Sequence, residues 1–229
     1  MKMNNPPHPA PQGFRIGRTA TLVTAAFIFC VAVPGAEADD GIAAAKALLA
    51  AGRHEEAASL LEKACRESAG EMPAHFYLAY CYAGRGALDG ARAEYEICAD
   101  LAPDRPEVHY NLGVVLSRMG SYEAAARAFE EALLLNPGYA DANFNCGLAH
   151  YRAGEPATAI RYFREARALA PDDVAVLYCL ALAYEDIDPR VALSIWEDYV
   201  RQAVDEPAEA AFLKSARDHI SSLRAGKKL

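Results

Sequence analysis

Small and apolar residues recur along this chain with a period of 34. Ala57, Ala91, Ala125 and Ala159 mark one position of the register, and Gly52, Gly86, Gly120 and Gly154 mark another five residues earlier. In the clearest row, 106–139, Leu112, Gly113 and Leu116 lie on one side of a first helix and Gly120 makes a turn. Ala125, Phe129 and Ala132 then stand at i, i+4 and i+7 of a second helix, which Pro137 ends. Rows 38–71, 72–105 and 140–173 keep the same frame without an insertion. Each row therefore predicts one helix–turn–helix unit. A unit of this kind cannot bury its apolar stripe alone, so neighbours stack and an all-α solenoid is expected. Gly113 and Ala125 are small because the two helix axes must approach closely where they cross.

A fifth unit opens at Val174 with Leu180, Ala181 and Tyr184, but its second helix arrives one residue early, since Ala192 follows Ala159 by 33. Its turn, Asp186-Ile187-Asp188-Pro189, lacks glycine, and Asp188 is placed to cap a helix that begins on Pro189. Ala192, Trp196 and Tyr199 carry the core face. A last helix is expected from Pro207, with Phe212, Ala216, Ile220 and Leu223 on one side and charges on the other. A solenoid needs such a half-polar end, because an open final unit would expose apolar surface.

These residues resemble the tetratricopeptide repeat family. Leu112, Gly113, Gly120, Tyr122, Ala125, Phe129, Ala132 and Pro137 match its pattern in one unit, and Gly147, Gly154, Ala159, Phe163, Ala166 and Pro171 match it in the next. The chain departs from the pattern where His75 and His109 replace the usual Trp of the first helix, and where Ala69 replaces Pro. The resemblance implies a right-handed superhelical solenoid of about five repeats, over 39–71, 72–105, 106–139, 140–173 and a degenerate 174–206. A capping helix and basic tail occupy 207–229. First helices line the concave side of such arrays. The fifth residue of each row, namely Ile42, Phe76, Tyr110, Phe144 and Tyr178, is then expected to face a protein-binding groove. Tyr80, Val114, Leu148 and Leu182 continue that surface one turn later, and Asn111, Asn145, Arg118 and Arg152 add polar contacts. Family members that clamp a C-terminal carboxylate have Lys and Asn at these places. Phe76 and Tyr110 stand here instead, so the expected partner is an apolar or aromatic-bearing protein segment.

The first 38 residues read as an export signal. Lys2, Arg15 and Arg18 form a cationic leader, Thr19 to Val33 is an uncharged apolar run, and Ala36-Glu37-Ala38 has the form of a cleavage site. Cleavage predicts a periplasmic or secreted protein starting at Asp39. The alternative is an uncleaved anchor, residues 19–33, in the inner membrane, although that run is short for a spanning helix. The formal net charge is −8, and loss of the leader makes it more negative. A phosphate backbone would be repelled, so nucleic acid is not an expected partner.

No catalytic constellation is legible, and neither enzyme activity nor a cofactor is expected. The glycines fall at turns and helix crossings instead of in a phosphate-cradling loop. His75, His109 and His150 stand where an aromatic packs, and read as core residues and not as metal ligands. Cys65, Cys81, Cys98, Cys146 and Cys179 remain after cleavage. Stacking makes Cys65 and Cys81 the expected neighbours, and an exported location would allow them to form a disulfide. The functional expectation is an exported scaffold that holds a peptide or subunit, within an envelope, secretion or pilus assembly complex. Two alternatives stay open: a solenoid that self-associates into a structural assembly, and a membrane-anchored assembly factor that keeps its leader.

Overall fold

A computed structural model describes residues 40–67, 72–204 and 209–226; the leader and Pro207 lie outside them. Among the described residues there are eleven helices and no strand. They are α1 (Asp40–Ala50), α2 (His54–Glu67), α3 (Met72–Gly84), α4 (Leu88–Leu101), α5 (Pro106–Arg118), α6 (Tyr122–Leu135), α7 (Ala140–Arg152), α8 (Pro156–Leu169), α9 (Val174–Glu185), α10 (Pro189–Ala203) and α11 (Ala210–Arg224). Consecutive helices pack in pairs, giving an all-α repeat fold. None of these helices is long and apolar enough to cross a membrane. The described residues divide into two compact units, α1–α6 ending at Pro137 and α7–α11 beginning at Gly138.

In the first unit the turn chemistry explains the periodic glycines. At the end of α5, the Gly120 amide donates to the Ser117 carbonyl at 3.1 Å and the Ser121 amide to the Leu116 carbonyl at 3.0 Å, a Schellman cap. Gly120 has φ +78°, and a Cβ built there meets nothing within 4 Å. The left-handed backbone, not crowding, requires glycine at this turn. Gly113 has the opposite reason. A Cβ at that position would lie 2.7 Å from Phe129, so the ring of α6 seats directly on the backbone of α5. Buried Ala57, Leu61, Leu78 and Cys81 join α2 to α3, and buried Ala79, Ala91, Tyr95 and Val115 join α3, α4 and α5.

The second unit is built around α9, in which every residue from Ala175 to Tyr184 is buried. A helix apolar on all sides needs cover on all sides. α8 supplies Ile160 and Phe163, α10 supplies Trp196 and Tyr199, and α11 supplies Leu213 and Ala216. The N-termini of α9 and α10 are both capped by aspartates. The Asp173 carboxylate accepts from the Ala175 amide, and Asp188 accepts from the Arg190 and Val191 amides, with Pro189 opening α10. On α11 the buried positions are Leu213, Ala216 and His219, while Phe212, Ile220 and Leu223 are partly buried against the core. A histidine thus belongs to the inner face that the apolar pattern assigned to Ile220 and Leu223.

Candidate protein-binding site

In the first unit α3 and α5 carry the expected contact residues. Phe76 is half-buried, edge-on to Tyr77 at 5.8 Å and to Tyr95 at 5.5 Å between ring centroids. One turn on, Tyr80 is exposed, at 36%. Tyr110 is half-buried against Phe129 at 5.7 Å, and Val114 is half-buried one turn later. Phe76 and Tyr110 therefore combine a packed edge with area left in contact with solvent, and Tyr80 and Val114 extend that area one turn later. The polar pair beside them is partly committed to the fold. Asn111 donates to the Glu107 carbonyl of its own helix at 2.7 Å, and Arg118 donates to the Ala83 carbonyl at 2.7 Å, tying α5 to the end of α3.

The second unit treats the equivalent positions differently. Phe144 is 4% exposed and packs on Phe163 at 5.8 Å, and Asn145 is also buried. Tyr178 is 3% exposed, enclosed by Trp196 at 4.8 Å, Tyr199 at 5.4 Å and Phe212 at 5.6 Å. Its hydroxyl shares a hydrogen bond with Ser215 Oγ at 3.2 Å. Leu182 is buried, and Leu148 and Arg152 are half-buried. The expectation that Phe144, Asn145, Tyr178 and Leu182 offer a contact surface is corrected to that extent. For Tyr178 the physical reason is α11, whose Phe212 and Ser215 sit against it.

Histidines mark both units. In the first, His75 Nδ1 lies 2.6 Å from Glu94 Oε2, and Cys65 Sγ belongs to the same group of potential ligand atoms, all within 4.8 Å of one another. Sequence reasoning treated His75 as a packing residue and missed Cys65 and Glu94 beside it. The signal available was the stacking rule, which puts α2 and α4 on either side of α3. In the second unit the Glu185 carboxylate accepts from Trp196 Nε1 at 2.6 Å and lies 2.7 Å from His219 Nδ1, and the His219 ring stacks on Trp196 at 4.8 Å. His150 stacks on Tyr162 at 5.3 Å and pairs with Glu155, and His109 Nε2 donates to the Pro103 carbonyl.

The thiols are poorly suited to nucleophilic chemistry. Burial, and then the negative charge of Glu94, push Cys65 up to about 11. Burial pushes Cys81 up to about 11 and Cys98 to about 12, and raises Cys179 further. At neutral pH these groups stay in the weakly nucleophilic thiol form. Cys65 packs against the apolar cluster that contains Cys81, as expected of neighbours in the stack, and both are free thiols in this structure.

Two family models described as tetratricopeptide repeat match the chain, over residues 48–113 and 110–174. No curated protein matches it. Among solved structures, MamA AMB-1 is similar at 27% identity and TM-score 0.66, over 76% of this chain and 94% of that one. MamA from Desulfovibrio magneticus RS-1 is similar at 19% identity and TM-score 0.70, over 75% and 99%. YrrB, described as a TPR protein with an unusual peptide-binding site, is similar at 20% identity and TM-score 0.68, over 74% and 88%.

Proposed function

Because this chain belongs to the tetratricopeptide repeat family, we propose that it is a scaffold that holds a protein segment against the α3–α5 face of its first unit. The observation that carries this reading is the partial exposure of Phe76, Tyr80, Tyr110 and Val114 on two helices tied together by Arg118. Aromatic side chains fixed at one edge and open at the other lose little rotamer freedom on binding, and such anchors dominate interface energetics. The partner is an apolar or aromatic-bearing segment. The peptide-binding site in the description of YrrB supports the same class of ligand by likeness of fold.

Export belongs to the proposal as well. The leader, with its apolar run and Ala36-Glu37-Ala38, supports a periplasmic or secreted scaffold acting in an envelope, secretion or pilus assembly complex. The net charge of −8 supports protein over nucleic acid as partner. The unit plan is five helix pairs, the fifth degenerate, closed by α11 as a cap.

The test is a displayed random-peptide library panned on the purified chain. Peptides rich in aromatic and large apolar residues are expected to be selected, and Tyr80→Ser combined with Tyr110→Ser should abolish their capture with the helical circular dichroism retained. Undiminished capture by the folded double variant contradicts the assignment.

A further inference from the structure

We propose that the first unit carries a binding site for a borderline divalent cation, zinc foremost, formed by Cys65, His75 and Glu94. The three residues come from three successive helices, α2, α3 and α4. One ligand atom of each, the Cys65 sulfur, a ring nitrogen of His75 and a carboxylate oxygen of Glu94, lies within 4.8 Å of the other two. Zinc bonds of about 2.0–2.3 Å imply a tetrahedron with edges of roughly 3.3–3.8 Å. Closing on a cation therefore asks the 2.6 Å His75–Glu94 contact to open by about 1 Å, while no separation, all being within 4.8 Å, has to shrink by more than about 1.5 Å. Cys65 and Glu94 are half-buried, so their side chains have room to make that adjustment, while His75 is buried and serves as the fixed ligand.

The donor set selects the ion. Calcium and magnesium take oxygen ligands, and copper(I) favours sulfur-rich sites, whereas one thiolate, one imidazole and one carboxylate suit zinc. Charge also balances. When Cys65 gives up its proton, a thiolate and a carboxylate neutralise the two positive charges, and His75 binds as neutral imidazole with its proton on the nitrogen away from the metal. A neutral complex is the form best tolerated in a half-buried place. Three protein ligands leave the fourth position of the tetrahedron to water. The cation would cross-link α2 to α3 and α3 to α4, stapling two neighbouring helix pairs.

The experiment is a cobalt(II) titration of the full chain, kept reduced and free of any histidine tag, followed by displacement with zinc. One equivalent of cobalt should produce a thiolate-to-cobalt charge-transfer band and the intense visible bands of a tetrahedral site, and one equivalent of zinc should erase both. Cys65→Ser should lose the charge-transfer band, and Cys146→Ser should keep it. Glu94→Gln should weaken zinc binding by more than about tenfold, because even partners outside the ligand shell are worth about 10–100-fold. Zinc should shield one thiol from alkylation, mapped by mass spectrometry to Cys65, a readout that holds even where a ligand variant fails to fold. Absence of stoichiometric binding, a charge-transfer band that survives in Cys65→Ser, or protection mapped to another cysteine overturns the proposal.

Discussion

Phe76 and Tyr110 in the first unit, and Phe144 and Tyr178 in the second, hold the same place in the 34-residue register, yet the first pair is half-buried and the second buried. Register places an aromatic on a first helix against the aromatic of the second helix, which is why Tyr110 meets Phe129 and Phe144 meets Phe163 at nearly equal distances, 5.7 and 5.8 Å. It does not decide what lies over the other side of the ring. For Tyr178, α11 does, through Phe212 and Ser215. Position in a repeat therefore fixes the packed edge of a residue, and the surrounding helices determine whether its remaining area is available to a partner.

The largest test of this contrast removes a core ring from the second unit. Trp196 is fully buried, touches Tyr178, Tyr199 and His219, and donates to Glu185. Trp196→Ala should cost about 3–5 kcal/mol in chemical denaturation. Tyr80→Ser in the first unit should cost less than half of that, because Tyr80 keeps 36% of its area exposed and loses only partial packing. Similar losses for the two would break the distinction between packed and available aromatics.

A smaller effect tests what the two units share. A Cβ at Gly113 would meet Phe129 at 2.7 Å, and one at Gly147 would meet Phe163 at 2.7 Å. Overpacking outweighs the gain in helix propensity, so Gly113→Ala and Gly147→Ala should each cost roughly 1–2 kcal/mol. Thermal melts that show a gain in stability for either would mean that the ring does not seat on the backbone as described.

The smallest expected effect is electrostatic. Burial, and then the negative charge of Asp173, raise the Asp141 carboxyl above its ordinary value of 3.8. The fold therefore disfavours the charged form: the stability present below the unfolded value is lost as pH rises through the folded value. Asp141→Asn should melt higher than the parent near pH 7, and the advantage should vanish near pH 3. An equal shift at both values would assign the effect to packing.

Most of the fold was legible because its signals are local. The glycines of the turns need a left-handed φ wherever they stand, Asp188 caps α10 with its own side chain, and the ring of Phe129 requires Gly113. The candidate site was legible only in part. Phe76, Tyr80, Tyr110 and Val114 keep solvent-facing area, but the burial of Tyr178 depends on a helix more than thirty residues away in sequence. The grouping of Cys65, His75 and Glu94 is likewise long-range, since no spacing motif joins three side chains carried on three helices. His219 on the inner face of α11 escaped notice because its place is secured by Glu185 and Trp196, a polar contact that an apolar pattern does not register.

The central claim, that the α3–α5 face holds the partner, is tested most directly by hydrogen exchange followed by mass spectrometry, with and without a peptide selected on the intact chain. The account predicts slowed exchange concentrated in α3 and α5, across residues 72–84 and 106–118, with α9 to α11 unchanged. Protection confined to α9–α11, with none in α3 or α5, would contradict it.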